Sequence, residues 1–254
     1  MPSRRLLNLC ALGGPAALLV TCVGWLVAGI LPLPPGPSDS SEQVLSFFVD
    51  DSSRVLLGFV LSSIGVALIA PQFAVISMHM RRMEGGFPAL AYAQLIVGAV
   101  TVCINLFPQL IWAVAAFRGD RAASEVVLLN DLAWLLLFTG ITPFIIQNVA
   151  IAVCTLRARD RAVWPRWVAY LNLWVAAAFL PDPLAFFFKT GPFAWNGVLV
   201  FWLALSAYGV FLVVMAVVMV RANASLADDG SREDLLLEDV EDRVEVLAGD
   251  GGVQ

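Results

Sequence analysis

The sequence predicts an all-α, polytopic membrane protein: a bundle of six transmembrane helices with short loops and an amphipathic helix on its outer surface. Three observations predict it. Of 254 residues, 60% are hydrophobic and 14% are charged, against roughly 45–50% apolar and about 25% charged in an average soluble domain. The apolar residues gather into six long runs, and a helix needs only about 20 residues to cross ~30 Å of hydrocarbon. No run alternates with period two, as the strands of an outer-membrane barrel would. The mean hydropathy of +0.84 also excludes a disordered chain.

The first span is read at Leu6–Leu31. Its leading Ser3-Arg4-Arg5-Leu6-Leu7 resembles a twin-arginine export signal. The apolar run is longer than a signal segment and more spans follow, so the arginines read as a basic flank. Cys10 follows Leu9, where a lipoprotein signal wants a small residue. Four prolines between Pro32 and Pro37 end the span. Ser40 then fits an N-cap with Gln43 as its reciprocal partner, and Val44, Leu45, Phe47 and Phe48 give the outer-surface helix an apolar side. The remaining spans are Val55–His79, Phe87–Phe117, Val126–Leu156, Trp167–Phe186 and Val198–Val220; Pro181-Asp182-Pro183, near the end of the fifth, is counted with the third outer loop. The third and fourth exceed the bilayer's need and should tilt or project. Pro108 and Pro143 inside them predict kinks, because each removes a backbone donor.

Basic residues favour the cytoplasmic side. With the N-terminus inside, nine arginines fall on inner segments and four basic residues on outer ones. This predicts a plasma (inner) membrane protein with both termini cytoplasmic, and the Arg157–Arg166 connection is the strongest inner marker. The net charge of −5 belongs to one end of the chain: residues 222–254 hold ten acidic residues against two arginines, a net of −8. The organisation is therefore a membrane domain, 1–221, followed by an acidic cytoplasmic tail, 222–254, whose composition predicts disorder. Within the tail, Leu237, Val240, Val244 and Leu247 recur at heptad-like spacing and form a candidate partner-docking stripe, too short for a coiled coil by itself.

Chemical motifs are sparse. The sequence shows no phosphate-binding glycine loop, nucleophile elbow or His/Cys cluster, so it implies no cofactor, no metal and no catalytic set. The cysteines Cys10, Cys22, Cys103 and Cys154 all fall in spans, which predicts no structural disulfide. His79 is read as an interfacial side chain. Asn105, Asn130, Gln147, Asn148, Asn172 and Gln72 are read as interhelical glue. Asp131 is the one carboxylate taken to lie at depth, about one turn into the fourth span. With Asn130, Trp134, Lys189, Trp195 and Asn196 it makes a candidate outward-facing pocket, the aromatic 186–197 loop acting as its lid. The other reading of that loop, an interfacial aromatic belt, is the commoner one.

Leu129-Asn130-Asp131-Leu132-Ala133-Trp134, Pro165 to Trp174 and Phe187-Phe188-Lys189-Thr190-Gly191-Pro192-Phe193-Ala194-Trp195-Asn196-Gly197 resemble a family of bacterial, actinobacterial-type six-span membrane proteins with no assigned activity. Met80-Arg81-Arg82-Met83-Glu84-Gly85 and the Ser40–Arg54 segment fit the same pattern. The resemblance covers residues 6–221 and departs at Ala169, where the family tends to carry glycine. It implies the span count and no chemistry.

Three function classes remain: a small carrier or permease for an apolar or amphipathic molecule, a non-catalytic subunit or scaffold acting through the tail, and a membrane enzyme on a lipid-like substrate. The implied partners are the lipid bilayer and a protein at the tail; no surface suits nucleic acid. The charge count is directly testable. A reporter active only outside the cytoplasm should be silent when fused at residue 222 and active when fused after Gly191; the reverse pattern contradicts the orientation.

Overall fold

The computed structural model describes residues 4–158 and 163–224, and no strand occurs among them. Six helical segments are long and apolar enough to cross a membrane: Arg4–Ala28, Ser52–Glu84, Ala89–Phe117, Ala123–Arg157, Trp167–Phe186 and Val198–Ala224. Their burial is one-sided. Leu19, Leu57, Ile96, Leu132, Leu173 and Val210 are exposed, while Phe59, Phe73, Trp112, Trp134, Phe144 and Phe211 are buried. An apolar perimeter around an apolar core is what lipid as solvent requires. The tail stripe Leu237, Val240, Val244 and Leu247 lies outside the described residues.

The surface helix forms at Ser41–Val49, and the capping box is present. The Ser40 backbone N–H donates to Gln43 Oε1 at 2.8 Å, and the Gln43 N–H donates to Ser40 Oγ at 3.3 Å. Val44 and Phe48 are buried, and Phe48 stacks on Phe59 of the second span. The helix thus seats its apolar side on one end of the bundle, the surface-helix end. At that end Arg54 pairs with Asp51 at 3.0 Å and donates to the Val27 carbonyl at 2.9 Å, satisfying one of the orphan acceptors where the first span stops. At the opposite, terminal end the Glu84 carboxylate accepts from the Leu90 and Ala91 amides at 3.0 and 2.7 Å and so caps the third span.

Small residues bring the first two spans together. A Cβ at Gly58 would lie 2.5 Å from the Ala28 backbone nitrogen and 2.6 Å from the Gly24 carbonyl. A Cβ at Gly65 would lie 2.7 Å from the Thr21 nitrogen. Ala17, Thr21, Gly24 and Ala28 on one helix therefore face Gly58, Ser62 and Gly65 on the other, and the backbones approach as in small-residue membrane interfaces.

Three spans are broken by one chemical rule. Proline has no N–H for the carbonyl four residues back. Helix Arg4–Ala11 gives way to Gly13–Ala28 with Pro15 following. Ser52–Ala67 gives way to Ile69–Glu84, which contains Pro71. Ala123–Thr139 gives way to Thr142–Arg157, which starts Thr142-Pro143. In each case the helix ends at the residue whose carbonyl the proline leaves without a partner: Ala11, Ala67 and Thr139. The expected effect of Pro143 is thus a full break at Gly140 and Ile141, whereas Ala89–Phe117 runs unbroken through Pro108. Around Pro108, side chains donate to carbonyls one turn back: Thr101 to Val97, Asn105 to Thr101 and Gln109 to Asn105.

The close approach generates a prediction. Gly58→Leu should lower the melting temperature of the purified protein by several degrees, from an overpacking cost of about 1–3 kcal/mol. Gly86→Ala, where a Cβ meets nothing within 4 Å, should change stability by less than about 0.5 kcal/mol. Equal melting temperatures for Gly58→Leu and wild type would contradict the seam.

Candidate functional site

A cavity of about 70 Å³ lies inside the bundle where the broken helices meet. Ile69 and Ile141, each the first residue of an Ile-x-Pro tripeptide at a break, both stand in its wall. Trp25, Phe138, Phe179 and Phe201 supply aromatic surface, and Asn105, Gln109, Tyr208 and Asp182 supply polar groups. The volume is about half of a ~150 Å³ apolar cavity that accepts benzene, and well above the ~10–15 Å³ that one water needs.

The aromatic wall is braced. The Trp25 indole N–H donates to Gln109 Oε1 at 2.9 Å, joining first and third spans. Trp25 stacks on Phe201 with centroids 6.2 Å apart and meets Trp134 edge-on at 6.4 Å. Behind Tyr208, the Phe144 ring lies edge-on at 4.9 Å and Phe179 at 6.5 Å. Such pairs stabilise by about 0.5–1.5 kcal/mol each beyond the area they bury, so the wall is a fixed surface.

Asp182 is the chemically decisive group. The α-helix of the fifth span covers only Trp167–Ala178, about 18 Å and too short to cross the hydrocarbon alone. Prolines 181 and 183 prevent its continuation, and the chain tightens into a 3-10 turn, Asp182–Phe186. That turn points Leu180 and Phe186 outward and Asp182 inward. Asp182 is fully buried, and neither carboxylate oxygen has a hydrogen-bond partner. The Tyr208 hydroxyl in the same cavity is unpartnered too. An ionised carboxylate without a partner in a low-dielectric site is strongly unfavourable; the cavity beside it is where a compensating group would enter.

Asp182 corrects the sequence reading, which placed Pro181-Asp182-Pro183 in an outer loop and took Asp131 as the one carboxylate at depth. Asp131 is partly exposed and Asp182 is not. The signal lay in the span's own bounds: Trp167–Phe186 reaches 20 residues only with Asp182 inside it. His79 is a second correction. It is buried rather than interfacial, and its Nε2–H donates to Asn223 Oδ1 at 2.9 Å. Asn223 donates in turn to Asn8 at 2.9 Å, and Trp164 lies 5.8 Å from the imidazole. This chain ties the first, second and sixth spans at the terminal end. Of the amides, Gln72 crosses between helices, donating to the Leu212 carbonyl at 2.7 Å. Asn148 donates within its own helix; Asn172 donates to the Val168 carbonyl in its own helix and to Met215 Sδ of the sixth span at 3.7 Å; Gln147 is buried without a partner.

The six sequence-predicted pocket residues fall at the surface-helix end. The Trp134 indole donates to Asn130 Oδ1 at 3.1 Å, and both are buried. The Lys189 charge acts on Asp131, but no ion pair within 4.0 Å joins them among the described residues. Trp195 is buried and donates to the Pro35 carbonyl at 2.9 Å, while Asn196 packs against Gly36. Trp195 and Asn196 therefore anchor the 187–197 loop to the Pro32–Pro37 segment. None of the six lines the cavity that contains Asp182. No group of three or more His, Cys, Asp or Glu side chains that could hold a metal ion occurs among the described residues, and the four cysteines are free.

A buried, unpartnered carboxylate destabilises the empty protein. Asp182→Leu should therefore raise its thermal stability by about 1–3 kcal/mol, read as a higher melting temperature; a lower one would show that Asp182 is held by the fold. No family model, curated protein or solved structure matches this chain.

Proposed function

We propose that the chain is a small carrier for an amphipathic molecule in the plasma membrane, with both termini on the cytoplasmic side. The observation that carries this reading is the cavity at the helix breaks with the unpartnered Asp182 in its wall. Carriers bind substrate near the bilayer midplane between discontinuous helices, because only there does broken backbone line a cavity instead of lipid. The second and fourth spans have that form: at 33 and 35 residues, each is interrupted near its middle, at Leu68 and at Gly140. An apolar, aromatic wall with few polar groups suits a molecule with one polar end.

The nine-to-four distribution of basic residues supports the orientation. It places the surface helix and the 187–197 loop outside, and the His79–Asn223–Asn8 chain inside. Placement in the bacterial six-span family rests on the motif residues.

The test is flux. Proteoliposomes holding the full chain should pass one charge class among small cationic, zwitterionic, anionic and neutral solutes at least about tenfold faster than empty liposomes, saturably. Leu205→Trp, which fills the cavity wall, should abolish that flux while the protein stays folded. Flux equal to empty liposomes for every class would overturn the carrier reading.

A further inference from the structure

The geometry points to the class of ligand: the cavity is a site for a small organic ammonium ion, with Asp182 as its counter-ion and the surrounding aromatic rings as its walls. This rests on the carrier reading for its physiological meaning, but not for its chemistry.

Two groups of observations converge. First, the carboxylate is buried, and both oxygens lack a hydrogen-bond donor. No lysine or arginine lines the cavity to neutralise it, and the other polar groups there are neutral or already engaged: Gln109 holds Trp25 with its oxygen and the Asn105 carbonyl with its nitrogen. The carboxyl group thus lacks the partner that would hold it ionised, and a ligand of opposite sign would supply one. Second, the cavity contains the faces or edges of Trp25, Phe138, Phe179, Phe201 and Tyr208. Aromatic faces attract organic cations through the ring quadrupole, most strongly where water is excluded. A hard metal ion would instead need about six oxygen ligands in one shell; besides the Asp182 carboxylate the cavity offers only the Thr21 and Tyr208 hydroxyls and the Asn105 amide, since Gln109 Oε1 is held by Trp25. An anion would meet the charge of Asp182, and a neutral apolar molecule would leave that charge unanswered.

The size sets the ligand's bulk. At about 70 Å³, half the volume that accepts benzene, the cavity suits an ammonium as small as methylammonium, not a tetraalkyl, long-chain or polycyclic one. Methylammonium is the suitable probe: it fits that volume and is charged at neutral pH.

The experiment is equilibrium binding of radiolabelled methylammonium to the full chain in nanodiscs at neutral pH, with methanol as the neutral molecule of similar shape and sodium chloride as the hard-cation competitor. The wild type should bind methylammonium saturably. Asp182→Asn should weaken that binding at least about tenfold and leave methanol binding within about threefold. Equimolar sodium should not displace the probe. Phe179→Leu, which keeps the carboxylate and removes one ring, should weaken binding by about three- to tenfold, and it decides the matter if Asp182→Asn does not fold. Absence of saturable binding to folded wild type, equal affinity in Asp182→Asn, or displacement by equimolar sodium would each overturn the inference. Its failure is distinguishable from that of the carrier reading. Binding in nanodiscs without flux in proteoliposomes supports the ammonium site and sinks the carrier; flux of another solute class without methylammonium binding does the reverse.

Discussion

The bilayer offers no water to a backbone carbonyl, and the architecture depends on how this chain answers that constraint where proline removes a donor. In hydrocarbon, every backbone polar group needs a partner within the protein or a cavity to face. Pro15, Pro71 and Pro143 each deprive one carbonyl of its donor, and the helices stop at Ala11, Ala67 and Thr139. The first two breaks abut: a Cβ on Gly13 would strike the Leu68 carbonyl. The second and fourth border the cavity through Ile69 and Ile141.

Packing around this layer is organised to keep it open on one side and tied on the other. The glycine seam holds first and second spans together from Gly24 and Gly58 to Gly65. The Trp25–Gln109 bond and the Trp25, Trp134 and Phe201 rings fix the cavity's upper wall. The Gln72 bond to Leu212 lies beside its floor, next to Gly14. Further toward the terminal end, the His79–Asn223–Asn8 chain binds three spans. Asp182 is the component that this framework supports without satisfying. Natural proteins accept such local cost where a ligand is to be bound.

The fold was legible in the sequence because the physics that sets it is one-dimensional. Hydrophobic length gives the six spans, and the Ser40/Gln43 spacing gives the surface helix and its start. The breaks were legible only in part. Pro143 was recognised, but Pro108 is equally conspicuous in sequence and leaves its helix unbroken. The cavity was not legible. Its residues are scattered from Ala17 to Leu212 across six spans, and only packing brings them together. Asp182 was hidden by its flanking prolines, which read as a loop outside the membrane although the fifth span needs those residues to reach across. His79 read as interfacial because its partner, Asn223, is 144 positions away in the chain.

The central claim is that a layer of broken helix in the middle of the second and fourth spans borders a cavity that solvent and ligand can reach. Amide hydrogen exchange on the full chain in nanodiscs tests it most directly. Peptides covering 66–71 and 138–143 should exchange at least about tenfold faster than peptides covering 73–80 and 145–152, farther toward the terminal end of the same spans. Uniformly slow exchange along both spans would mean that these breaks are sealed, and it would contradict the account.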